Sequence, residues 1–139
     1  MTKRVNYDEL EASDDAQLML HNDEPFTGIA YEENANGQVI VERSFKDGIK
    51  DGPVRRYFPS GRLEHEGNWR YGGGHGFFRT WHENGKLEKE QYIEYGILVS
   101  ERNWNLNGEL LTEFQLKESD LQYEILSSRR KRFSKSSRT

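Results

Sequence analysis

Apolar and polar residues alternate in short runs between glycines through residues 25–116, and the runs repeat. Gly28, Gly52 and Gly76 share one spacing, as do Gly37, Gly61 and Gly85, and Gly48, Gly72 and Gly96. Val39, Leu63 and Leu87 keep the same register, and Leu110 follows one residue early. A self-similar period of about 24 residues marks stacked supersecondary units, each too small to bury its own apolar face.

Within a unit the pattern predicts two short strands and a tight turn. Asn36-Gly37, Ser60-Gly61, Asn84-Gly85 and Asn107-Gly108 occupy the turn. Asn-Gly is a strong hairpin signal because a type I′ turn needs positive φ at both central residues. An aromatic stands four residues before the turn glycine at Tyr57, Trp81 and Trp104, whereas Tyr31 stands six before Gly37. Strand parity then puts Val39, Leu63, Leu87 and Leu110 on one face with Phe45, Trp69 and Ile93. Glu42, Glu66, Glu90 and Glu113 fall three residues after the aliphatic column and so on the opposite face. Edge-to-edge addition of hairpins would space them two strands apart, roughly 9.5 Å, as an acidic row. The simpler reading makes them solvated strand residues paired with neighbouring Arg or Lys.

The ends break the pattern. Residues 1–24 hold Asp8-Glu9-Leu10-Glu11 and Asp14-Asp15, then an alternating Leu18–His21 segment, and read as an acidic N-terminal cap with a lead-in strand. Ser119-Asp120-Leu121-Gln122 has capping-box spacing ahead of Tyr123, Ile125 and Leu126, which predicts a short helix over 117–126. From Ser127 onward, Arg129, Arg130, Lys131, Arg132, Lys135 and Arg138 lie among serines. Such a segment reads as a basic, disordered tail, the alternative being contact with nucleic acid or an acidic surface.

Composition narrows the function. The chain has 139 residues, 33% hydrophobic and 32% charged, so its core is thin and its seven Tyr, seven Phe and three Trp must supply much of the burial. The whole chain carries −4 and the tail from 127 carries +6, leaving −10 on residues 1–126. There is no cysteine, hence no disulfide and no thiolate metal site. The N-terminal residues lack an apolar signal-like run, and no stretch approaches a membrane span, so a cytoplasmic location is expected. His21, His65, His75 and His82 include no pair at His-x-x-x-His spacing, and no metal or cofactor is expected. Gly72-Gly73-Gly74-His75-Gly76 lacks the Lys-Ser/Thr of a phosphate-binding loop, and no nucleophile-base set stands out. These features point away from an enzyme, and residues 25–116 hold no basic patch with interleaved aromatics to engage nucleic acid.

Pro25-Phe26-Thr27-Gly28, Ser60-Gly61-Arg62-Leu63-Glu64 and Trp81-His82-Glu83-Asn84-Gly85-Lys86-Leu87-Glu88 resemble MORN repeats of the variant type. The opening Pro-Phe-Thr-Gly followed by several such units is similar to the YwqK family of bacterial antitoxins, over about residues 5–116. The resemblance implies an all-β stack of four hairpins over 25–116 in a long twisted antiparallel sheet. It also implies an immunity or antitoxin role against a cognate toxin domain. Under that reading the expected partner-binding residues are the aromatics Tyr57, Trp69, Tyr71, Trp81, Tyr92 and Trp104, with Glu64, Glu66, Glu88 and Glu90 as charged partners. The competing reading, favoured by the scarcity of aliphatics, makes Tyr57, Trp81 and Trp104 repeat core. The alternative class is a non-enzymatic MORN-type scaffold near a membrane, although only the tail is basic.

Overall fold

The computed structural model describes residues 2–136. The strands are β1 (Arg4–Asn6), β2 (Leu10–Ala12), β3 (Met19–His21), β4 (Glu24–Pro25), β5 (Gly28–Glu33), β6 (Val39–Lys46) and β7 (Ile49–Tyr57). They continue with β8 (Leu63–Arg70), β9 (Gly73–Gly74), β10 (Gly76–Trp81), β11 (Leu87–Glu94), β12 (Ile97–Trp104) and β13 (Leu110–Gln115), followed by one helix, α1 (Leu121–Ser136). A large sheet runs in the order β1-β5-β6-β7-β8-β10-β11-β12-β13, with the short β9 beside β8. Only β1 is parallel to its neighbour; all other pairs are antiparallel. The fold is thus mostly β, a meander of hairpins closed by a C-terminal helix.

Both ends of each hairpin are tight, but the two turns differ from the expectation. Asn36, Ser60, Asn84 and Asn107 do not take positive φ; only the following glycines do, at +79°, +90°, +86° and +86°. Gly61 N–H donates to the Phe58 carbonyl and Gly85 N–H to the His82 carbonyl, at 2.8 and 2.9 Å. These are right-handed turns finished by one left-handed glycine. In the repeats, the turns with two consecutive positive φ values are Asp47-Gly48, Tyr71-Gly72 and Tyr95-Gly96, at the opposite end of the strands; Asn22-Asp23, between β3 and β4, is another.

Each right-handed turn is followed by a bulge, and the bulge changes which residues share a face. Arg56 pairs His65 but Tyr57 pairs Leu63, leaving Glu64 extra. The same slip leaves Ile40, Glu88 and Leu111 extra in the other repeats. Because a two-against-one count reverses alternation, Leu63 joins Glu66 on one face while Trp69 takes the other. The expected separation of the Val39/Leu63/Leu87/Leu110 column from the glutamate column is therefore wrong. Simple parity fails across one inserted residue.

The core is split between the ends. Val5, Leu10, Phe26, Ala30 and Phe45 cluster under the N-terminal strands, with Tyr7 and Met19 packed against them. Ile97, Leu116 and Leu126 form a second cluster with Tyr95, Val99 and Tyr123. Between them the sheet is one layer thick, and Phe78 lies over Gly67, where a Cβ would run into its ring.

Helix α1 corrects the reading of the C-terminus. It begins at Leu121 and continues through Ser136, so the segment expected to be a disordered tail is helical as far as it is described. Three interactions from the basic stretch hold it. Arg130 makes two hydrogen bonds to Glu94, at 2.7 and 2.8 Å, and Arg129 donates to the Tyr95 carbonyl at 2.6 Å. Phe133 stacks on both Tyr71 and Tyr95, with centroids 4.8 Å away in each case. Sequence reading weighed the cations and missed the one aromatic among them, which spans two successive turn tyrosines.

Candidate functional site

The bulged register builds a continuous ladder on one face of the sheet. Cross-strand neighbours run Glu42–Arg55, Arg55–Glu66, Glu66–Arg79, Arg79–Glu90, Glu90–Arg102 and Arg102–Glu113. Directly opposed residues on one face lie close enough to interact. Arg55 reaches Glu66 at 2.9 Å, and Arg79–Glu90 and Arg102–Glu113 each close at 2.8 Å. Arg4 begins the row with a 2.8 Å bond to Glu42 and lies over the Tyr31 ring. The glutamates do not form an acidic row. Arginines of the same period stand between them, a column visible in the sequence at 55, 79 and 102 but not read there.

Hydrogen bonds tune the first rung. Burial acts to raise the Glu42 carboxyl, but hydrogen bonds from Tyr57 (2.7 Å) and Arg4 outweigh it and hold the group below its ordinary range. Burial and the neighbouring Glu42 push the Tyr57 hydroxyl up. Tyr57 therefore keeps its proton and, as a hydrogen-bond donor, ties the aromatic row to the charge ladder.

Two residues along each strand, the same face carries Tyr57 against Leu63, Trp81 against Leu87 and Trp104 against Leu110. Tyr92 lies there too, opposite Phe77, with ring centroids 5.0 Å apart. The structure thus gathers six of the expected residues, Tyr57, Glu66, Trp81, Glu90, Tyr92 and Trp104, on one surface. The others lie elsewhere. Trp69 faces the opposite side, with the Lys50 ammonium 4.7 Å over its ring. Tyr71 is a turn residue stacked under Phe133. Glu64 and Glu88 are the bulge residues, beside Arg56 at 3.2 Å and His82 at 3.7 Å.

The opposite face is held by its own bonds. His65 meets the Thr80 hydroxyl at 2.9 Å and Gln91 donates to Glu101 at 2.6 Å. Burial, then the nearby Arg56, pulls the His65 imidazole below its ordinary value. Among the described residues no cluster of acidic residues and histidines could hold a metal ion. Among the described residues, likewise, no helix is long and apolar enough to cross a membrane. The depression beside α1, about 300 Å³, is lined by residues such as Tyr71, Tyr95, Arg129 and Phe133 that already pack on one another.

A one-layer meander with a periodic aromatic and charged face is the architecture of a MORN repeat variant protein, and residues 50–71 and 75–95 match that family. The chain is 37% identical over 133 residues to the immunity protein YwqK of Bacillus subtilis (strain 168), an alignment spanning 92% of this chain and 86% of that one. It belongs to the YwqK immunity-protein family. Two solved structures of TarM also resemble it, at TM-scores of 0.40 and 0.38 with 13% and 17% identity. They overlap 78% and 65% of this chain but only 20% of their own length, and a likeness at that level carries no argument.

Proposed function

We propose that the protein is a cytoplasmic immunity protein that binds a cognate bacterial toxin domain and neutralises it by one-to-one blockade, without catalysing a reaction. The observation that carries this reading is the near full-length kinship to a protein named for immunity. Its surface is suited to the task. An open sheet offers a broad contact area without a pocket, and Trp and Tyr are the residue types that most often dominate binding energy. Tyr57, Trp81, Tyr92 and Trp104 supply such groups on one face.

The ladder makes that face nearly neutral, so the acidic excess lies elsewhere. In residues 1–24, Lys3 and Arg4 face Asp8, Glu9, Glu11, Asp14, Asp15, Asp23 and Glu24. This end of the molecule would steer a cationic toxin, while the aromatic face or the sheet edge supplies the holding contacts. Co-expression with the product of the adjacent gene tests the reading. Rescue of an otherwise lethal neighbour, with both chains eluting together on size exclusion, is expected; a harmless neighbour that never co-elutes would overturn it.

A further inference from the structure

The ladder ends unfinished. Glu42 lies between Arg4 and Arg55, Glu66 between Arg55 and Arg79, and Glu90 between Arg79 and Arg102. Glu113 has Arg102 on one side and, among the described residues, no strand on the other. Its side chain is 53% exposed against 19% for Glu42. Leu110, Leu111 and Phe114 of the same strand are exposed as well, Leu111 at 62%.

The backbone of β13 is also unfinished. Leu116 N–H donates to the Val99 carbonyl at 2.7 Å. Alternation along an antiparallel pair then turns the N–H and C=O of Thr112 and Phe114 towards β12 and those of Glu113 and Gln115 outward. A long edge with exposed apolar side chains and unpaired backbone groups is a template for another strand. Helix α1 packs on Leu116 just beyond the strand, on Ile97 and Val99, and on Glu94, Tyr95 and Tyr71 at the turn end of the sheet, and it leaves Leu110–Gln115 exposed at every residue.

The repeats specify what would fit. Every other glutamate-bearing strand of the ladder has, on the side that β13 leaves open, a strand of Arg-x-aromatic sequence: Arg55-Arg56-Tyr57 beside β6, Arg79-Thr80-Trp81 beside β8 and Arg102-Asn103-Trp104 beside β11. We infer that β13 is a docking edge for an extended strand of the toxin that carries Arg or Lys opposite Glu113 and an aromatic residue beside Leu111. Neither edge strand of the large sheet in a second copy meets that requirement: β1, the other edge, carries Arg4 but has Asn6 where the aromatic would stand. Leu110–Gln115 contains no cation, so pairing β13 with itself leaves Glu113 facing a neutral residue or another glutamate. The inference deepens the immunity reading by naming the surface and the chemistry of its occupant.

Two experiments test it on the full chain. The first needs no toxin: a capped peptide with the sequence of Gly76–Trp81 and its Arg79→Glu counterpart are titrated and followed by amide NMR. The expected result is shifts centred on Glu113 and Gln115, at least fivefold weaker binding of the Arg79→Glu peptide, and the reverse preference in the Glu113→Arg protein. No shifts at β13, or binding indifferent to the charge swap, would overturn the inference. The second uses the co-expressed complex. Slowed exchange of the Glu113 and Gln115 amides is expected; a stable complex that leaves both unprotected would refute the docking edge while sparing the immunity role. If no complex forms, the functional reading fails and the peptide result still judges the edge.

Discussion

Replacing Phe133 with alanine removes the ring that stacks on Tyr71 and Tyr95 at 4.8 Å each, with interplanar angles of 13° and 10°. An aromatic pair contributes about 1 kcal/mol beyond its buried area, so losing two costs about 2 kcal/mol. That cost falls on the docking of one segment. Leu126 stays buried and Arg130 keeps both bonds to Glu94, so the first turns of α1 remain in place. Local opening of the last turns should therefore rise about 30-fold while the sheet is unaffected. Limited trypsin digestion reads this directly, because Lys131 and Arg132 immediately precede Phe133. Cleavage there should accelerate about 30-fold in Phe133→Ala, with Phe133→Leu in between. Cleavage within twofold of the parent would refute the reasoning that this aromatic clamps the basic helix.

Three further outcomes follow from the sheet. Gly67→Ala drives a Cβ into the Phe78 ring and should lower stability by about 2 kcal/mol in thermal denaturation, with Phe78→Leu restoring part of it; an unchanged melting temperature would remove that contact from the account. Glu66→Arg puts an arginine between Arg55 and Arg79, making three in a row, and should cost about 1 kcal/mol, whereas the half-buried Arg79/Glu90 pair should show a coupling of about 0.5 kcal/mol in a double-mutant cycle. Acidification should destabilise the fold in two stages. The His65 and His75 values are depressed by burial and then by Arg56 and Arg70, so the unfolded chain takes up protons first and stability falls as pH drops through 6.5 and below. Arg130 hydrogen bonds depress Glu94, whose contribution is complete above its ordinary value of 4.5 and lost as pH falls through the lower folded value. Melting curves from pH 8 to 3 check both stages, and Glu94→Gln should flatten the second.

The period of glycines and aliphatics was enough to read the meander, because repetition survives even when individual turns are misjudged. Face assignment was not legible. It depended on a single extra residue after each turn, at Ile40, Glu64, Glu88 and Leu111, and composition carries no mark of a bulge. The arginine column could have been found, since Arg55, Arg79 and Arg102 keep nearly the period that exposed the glutamates. Attention to acidic residues alone turned a balanced ladder into an expected acidic row. The helix after 127 was hidden for a different reason: its stability rests on Glu94, Tyr95 and Tyr71, far away in sequence, and local polarity says nothing of such partners.

The central claim is neutralisation by stoichiometric blockade, and titrating the isolated toxin domain's activity with this protein tests it most directly. The account predicts a sharp equivalence point at one molecule per toxin molecule, with activity recovering when the complex is dissociated. Inhibition that proceeds at far below one equivalent and persists after the protein is removed would mean a catalysed modification and would contradict it.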